Sequence, residues 1–181
     1  MSNRYPNAWN FSNTDKNLIS KDGKYKIEYG EMYEIAMGAP LGAQCFLIDN
    51  ENNRKIKVCD WAGGPAIWDE QKNRAVFPIW TKNRAQQIRV VDIDNNKILT
   101  FSEIFRVLEI VGVAGDTIYG VDSPIHKTRE LKFDLKKEKI SSENELITGY
   151  NNGSNVMAGE SVNETINQKM NFWARLRSWW S

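Results

Sequence analysis

Histidine and cysteine are almost missing from this chain: His126 stands alone, and Cys45 and Cys59 are the only thiols in 181 residues. A structural or catalytic zinc centre draws on several such ligands, so no metal is expected. His126 sits beside Pro124 in a loop-like Asp122–Lys127 stretch and reads as a turn residue. With nothing resembling an export signal before them, the two cysteines read as reduced thiols. Long apolar runs are also lacking. None approaches the roughly 18 residues of a spanning helix, and Met1–Asn17 is Asn-rich and interrupted by Pro6, which does not suit a signal peptide. The expectation is a soluble, cytoplasmic chain. Charge of one sign is lacking too, since 24 basic and 23 acidic residues leave a net charge of +1. No overall field draws the chain to nucleic acid.

Motifs for chemistry are equally sparse. Gly63-Gly64 and the Gly38–Gly42 stretch are not followed by the Lys-Ser/Thr of a phosphate-binding loop, nor do they open a helix after a strand. They read as turns, and no cofactor is expected. Asp69 and Glu70 are adjacent, so on a strand they point to opposite faces; Asp92 and Asp94 fall at an Asn-rich corner where aspartate forms turns. With no nucleophile, acid/base pair or metal set, the chain is expected not to be an enzyme.

What the sequence does contain is repetition. Three segments, CFLIDNENNRKIKV, IRVVDIDNNKILT and LKFDLKKEKIS, run from an apolar stretch through a polar corner to a basic residue and isoleucine. Aligned on Ile56, Ile98 and Ile140, they are spaced 98 − 56 = 42 and 140 − 98 = 42 residues apart, the interval at which four-stranded propeller blades recur. Each reads as a hairpin, with Asn and Asp supplying the left-handed corner. A second strand pair precedes each one. Tyr25, Ile27 and Tyr29 alternate with Lys26 and Glu28; the strand from Ala75 to Trp80 follows Pro65–Trp68; and Val107–Val113 turns at Gly115-Asp116 into Ile118–Val121.

The central repeat, PAIWDEQKNRAVFPIW followed by QIRVVDIDNNKI, resembles the bacterial β-propeller repeat in its Pro-aromatic opening, Asp-bearing corner and basic residue before a buried strand. Glu70–Asn73 replaces that family's Pro-Asp-Gly-Lys corner. The resemblance covers about residues 20–140. It implies a mainly β fold of three blade-like antiparallel repeats. Three blades are too few to close a propeller, so the repeats are expected to form an open fan, a sandwich or a barrel.

After Ile140 the composition changes. Residues 141–164, rich in Ser, Asn, Glu and Gly, read as a flexible linker. Residues 165–181 carry Ile166, Met170, Trp173, Leu176 and Trp180 at helical spacing and predict a short amphipathic helix. The expected domains are therefore 1–140, 141–164 and 165–181. Trp173, Arg175, Arg177, Trp179 and Trp180 give that helix a face suited to docking on the domain, on a second copy or on a membrane surface.

Seven tryptophans are the remaining feature. Trp61, Trp68 and Trp80 bracket the central repeat and serve either as core or as a protein-binding surface, together with Asp69, Glu70, Asp92 and Asp94. The overall style of the chain is similar to that of small cytoplasmic immunity proteins of bacterial polymorphic and contact-dependent toxin systems. That resemblance implies a non-catalytic protein that occludes a toxin's active site, with the acidic groups mimicking phosphate where the toxin cuts nucleic acid. The alternative reading is a peripheral scaffold using its C-terminal helix for membrane contact or oligomerisation. Neither involves direct contact with nucleic acid.

Overall fold

The computed structural model describes residues 7–69, 71–125 and 127–146. Eleven antiparallel strands dominate them. Strands β1 (Tyr25–Tyr33), β2 (Gly42–Asp49), β3 (Arg54–Ala62), β5 (Arg74–Trp80), β6 (Gln86–Asp92), β7 (Lys97–Phe101) and β11 (Ile140–Glu145) form one sheet in the order β1-β2-β3-β5-β6-β7-β11, and β4 (Ile67–Trp68) pairs with β5 beside this path. A second sheet has the order β10-β9-β8, from β8 (Leu108–Ala114), β9 (Thr117–Asp122) and β10 (Arg129–Asp134). Two short 3-10 turns, Asn7–Trp9 and Lys16–Leu18, precede the strands. Among the described residues no helix is long and apolar enough to cross a membrane.

The organising element is β5. All seven of its residues are buried, because both of its faces are covered. Ala75, Phe77 and Ile79 join Val91 and Ile98 in a core closed by Ile27, Tyr29, Cys45, Leu47, Ile56 and Val58 of β1–β3. Val76 joins Ile88, Val90 and Phe101 in a second core closed by Leu108, Ile110, Ile118, Leu131 and Phe133 of the small sheet. Strands β5–β7 are thus a wall shared by two cores. A continuous apolar run in β5, rather than alternation, is what such a wall requires.

Pro78 explains how one sheet can supply two of these layers. In extended backbone the N–H and C=O of a residue point to the same side, and the Pro78 carbonyl accepts from Gly63 N at 2.8 Å. Its missing N–H therefore faces β3. The β3–β5 ladder is reduced to the single pair Ala62↔Ile79, and β1–β3 fold back across the face of β5–β7.

The mainly β, antiparallel expectation holds. The three-blade arrangement does not: strands of the first and second repeats run on into one sheet through β3 and β5, and the sheet is not closed into a barrel, since its ends, β1 and β11, are not paired with each other. The first two hairpins are real. Their corners match residue for residue, with Asp49 accepting from Asn52 N and Asp92 from Asn95 N, both at 3.0 Å, and with Asn53 and Asn96 at φ 49° and 55°. The interval between them is 96 − 53 = 43, one residue more than the Lys-Ile alignment suggests. The third ending is not a hairpin, because β10 pairs with β9 and β11 pairs with β7; the chain crosses there from one sheet to the other. Residues 141–145, expected as the start of a linker, are most of β11, a wholly exposed edge strand. Its Ser, Asn and Glu suit an edge that must stay soluble. The rest of that linker, and the expected helix with Trp173, Arg175, Arg177, Trp179 and Trp180, lie outside the described residues.

Candidate functional site

The residues singled out from the sequence do not form one surface. A seven-residue strand rises about 20 Å, and β5 holds Arg74 at one end and Trp80 at the other. The acidic residues collect near the Arg74 end. Asp69 is buried and accepts from Arg74 Nε at 2.8 Å; Asp92 caps its hairpin corner; exposed Asp94 accepts from Asn73 Nδ2 at 3.1 Å. Glu70 and His126 are outside the described residues. Trp68 is core, its indole N–H donating to the Leu18 carbonyl at 2.8 Å. Trp80 is also buried, donating to the Leu41 carbonyl at 3.2 Å. Of these three tryptophans only Trp61 reaches the surface, 43% exposed.

Trp61 belongs to a cluster of loops at the Trp80 end. The β1–β2 loop, residues 34–41, is held by two indoles: Trp80 at Leu41, and Trp9, whose Nε1 donates to the Gly38 carbonyl at 3.0 Å. At the start of this loop the Tyr33 hydroxyl donates to the Asp60 carbonyl. Burial, followed by the neighbouring Cys59 and Asp60, pushes the Tyr33 phenol up to about 12. The phenol stays a neutral donor at ordinary pH. Gly38 takes a left-handed φ of 74°, and the turn it closes pushes Met37 outward until it is 95% exposed. An unbranched, polarisable side chain so fully exposed has no folding role; it suits contact with a partner.

Three further loops complete the cluster. Residues 81–85 join β5 to β6, with Thr81 N donating to Ala85 O at 2.8 Å and Arg84 N to Thr81 O at 3.0 Å. The β7–β8 connection is anchored by buried Gln86, whose backbone exchanges two hydrogen bonds with Phe105 and whose side-chain oxygen accepts from Leu108 N at 2.6 Å. Ser123, after β9, donates from its backbone to Val107 O at 2.8 Å.

Two depressions lie in this face. One of about 220 Å³ is lined by Trp9, Met37, Trp80, Val107 and Ile125 among others, with Arg84 and Arg106 at its polar margin. The other, about 440 Å³, is lined by Tyr33, Ile35, Trp61 and their neighbours. Arg84 lines both. Among the described residues four non-glycine positions have positive φ: Asn53, Asn96, Arg84 and Ser123. Asparagine tolerates that region and the two asparagines are hairpin corners; arginine and serine are less at ease there. Both of the latter line the smaller depression. Backbone strain of this kind concentrates where binding geometry is built in advance.

Chemistry elsewhere is muted. Cys45 and Cys59 face each other across β2 and β3 as free, buried thiols. Burial pushes both up from the ordinary thiol range, Cys45 strongly, so neither is an activated nucleophile. Among the described residues no three His, Cys, Asp or Glu side chains are grouped to hold a metal. The loop face escapes a reading of the sequence because Trp9, Met37, Arg84, Arg106 and Ile125 are scattered along the chain and meet only through the strand order. The one local signal was the Met37-Gly38 turn. Comparison with family models, curated proteins and solved structures finds no match to this chain.

Proposed function

We propose that this protein is a non-catalytic protein-binding module that uses the loop face around Trp61, Met37 and Ile125, and that its partner is a bacterial toxin domain whose active site the face covers. The observation that carries the binding reading is the composition of this face. Exposed Trp61, Met37, Leu41 and Ile125 stand beside Arg84 and Arg106 on loops held to a sheet scaffold, and aromatic residues, methionine and arginine are the types enriched at the centres of protein interfaces. Depressions of about 220 and 440 Å³ lie below or near the low end of small-molecule sites, which run from about 300 to 1,000 Å³. They suit anchoring side chains better than a substrate. The toxin-neutralising part of the reading is supported by the small size, near-neutral charge and degenerate repeats of the chain.

The test is affinity capture from the cells that encode the protein, with the wild type and with Met37→Asp and Trp61→Ala. One stoichiometric partner, retained by the wild type and lost by both variants, is expected; its enzymatic activity should be silent in the complex and recovered on release. Capture unchanged by both substitutions would remove the loop face from the account. A captured partner whose activity is the same bound and free would remove the neutralising role.

A further inference from the structure

The arginines show what the loop face is made to receive. Six arginines are described, and four are committed. Arg54 pairs with Asp49, Arg74 with Asp69 and Asp116, and Arg129 with Asp122 and Glu103; Arg89 donates to Thr100 Oγ1 at 3.1 Å and to Val58 O at 2.9 Å. Arg84 and Arg106 are the other two. Both are exposed, and both line the smaller depression. Among the described residues neither guanidinium has an acidic partner. The carboxylates closest to Arg106 along the chain or in space are otherwise engaged: Glu103 faces Arg129 at 3.8 Å, Glu109 Oε1 accepts from Asn7 N at 3.3 Å, and Asp122 Oδ1 accepts the backbone N–H groups of Arg106 and Val107, at 3.0 and 3.3 Å, while its Oδ2 faces Arg129. Of the described residues that line the two depressions, the cations are Lys82, Arg84 and Arg106 and the one carboxylate is Glu34.

Two uncompensated guanidinium groups beside an apolar cup are complementary to a particular ligand chemistry. We propose that the face receives a carboxylate-bearing segment of a protein partner, with one apolar side chain seated in the cup between Trp9, Met37 and Ile125 and flanking carboxylates on Arg84 and Arg106. This rests on the reading of the loop face as the contact surface and adds the partner's chemistry to it. The polarity is the reverse of phosphate mimicry. Asp69 and Asp92 are engaged at the far end of β5, so the protein meets its partner with cations and the partner supplies the acids. The size of the cup, about 220 Å³, admits one large side chain.

The probe is a fluorescein-labelled, capped peptide with a central phenylalanine flanked on both sides by glutamates, titrated with the full-length protein by anisotropy. Two controls replace the glutamates with lysines, or the phenylalanine with serine. The acidic, apolar peptide is expected to bind and both controls to fail. Raising salt from about 0.05 to about 0.5 M should weaken binding, since exposed charges are screened over shorter distances. Arg84→Asn and Arg106→Gln should each weaken it about tenfold, close to the lower end of measured couplings for interfacial charge pairs. Asparagine suits the left-handed turn at position 84, and an unchanged set of tryptophan indole signals verifies the fold of each variant. In the wild type the Trp9 indole signal should move on titration. No binding of the acidic peptide, or equal binding of the lysine peptide, would overturn the inference. If Met37→Asp abolishes capture of the natural partner while Arg84→Asn and Arg106→Gln leave it intact, the contact face stands and its acidic partner does not.

Discussion

At the scale of single residues, burial sorts side chains that the sequence makes look alike. Three tryptophans bracket the central repeat, yet two donate their indole N–H inward to backbone carbonyls and only Trp61 reaches the surface. Nothing in the local sequence separates them. All three lie in or beside apolar strands, and what decides is which layer each strand face meets. The carboxylates divide the same way. Asp69 next to Glu70 reads as a surface pair, but Arg74, five residues later on the returning strand, takes Asp69 into a buried ion pair. Trp61→Ala is expected to weaken partner binding by about 2 kcal/mol, or some thirtyfold, as truncation of a central interface aromatic does. Trp80→Ala should instead lower the unfolding midpoint, since it leaves a core void and frees the Leu41 carbonyl. Isothermal titration for the first and thermal unfolding for both separate the roles.

At the scale of elements, the turns were the most legible feature and the connections between them the least. Asp-x-x-Asn corners with a left-handed asparagine are encoded locally, and both hairpins formed from them are present. The third corner keeps an aspartate, Asp134, but has Lys and Glu where the other two have Asn, and its flanking strands pair elsewhere, because β7 offers an open edge to β11 and β9 offers one to β10. Strand pairing is a competition among distant partners that no ten-residue window contains. The opening segment is a second case. Phe11 is buried, packs on Tyr29 with ring centroids 4.7 Å apart, and lies against the Cα of Gly64 so closely that any side chain there would collide with its ring. Gly64→Ala is therefore expected to displace Phe11 and cost about 1–3 kcal/mol, in the manner of an overpacked core. A denaturant midpoint equal to that of the wild type would contradict the tight seating of this segment.

At the scale of the whole molecule, the two ends of β5 do different work. The end away from the loop face is a charged latch. Asp116, in the β8–β9 turn of the small sheet, faces Lys136, Lys72 and Arg74, the last two belonging to the large sheet's β4–β5 region. Hydrogen bonds from Lys136 and Lys72, then Arg74, hold its carboxyl well below the usual carboxylate range against the opposing effect of partial burial. A carboxyl depressed in the folded state contributes stability above its unfolded value, near pH 4, and loses that contribution as pH falls toward its folded value. The wild type should therefore lose stability on acidification below about pH 4. Asp116→Asn should be less stable than the wild type at neutral pH, with the gap closing in acid. A gap constant with pH would deny the latch its role.

The other end, with its strained arginine turn, outward methionine and unpaired guanidinium groups, is the end proposed for recognition. Fold class was legible in the sequence because apolar alternation and turn chemistry are local; the recognition face was not, because it is assembled from the opening segment and four loops. The most direct test of its role is site-specific photo-crosslinking in the native cell, with a photoreactive phenylalanine analogue placed at Met37, at Ile125, and at Glu143 on the exposed β11 edge. One discrete protein adduct, common to positions 37 and 125 and absent from position 143, is expected. An adduct formed only from position 143, or none from either loop position while the partner is still captured, would contradict it.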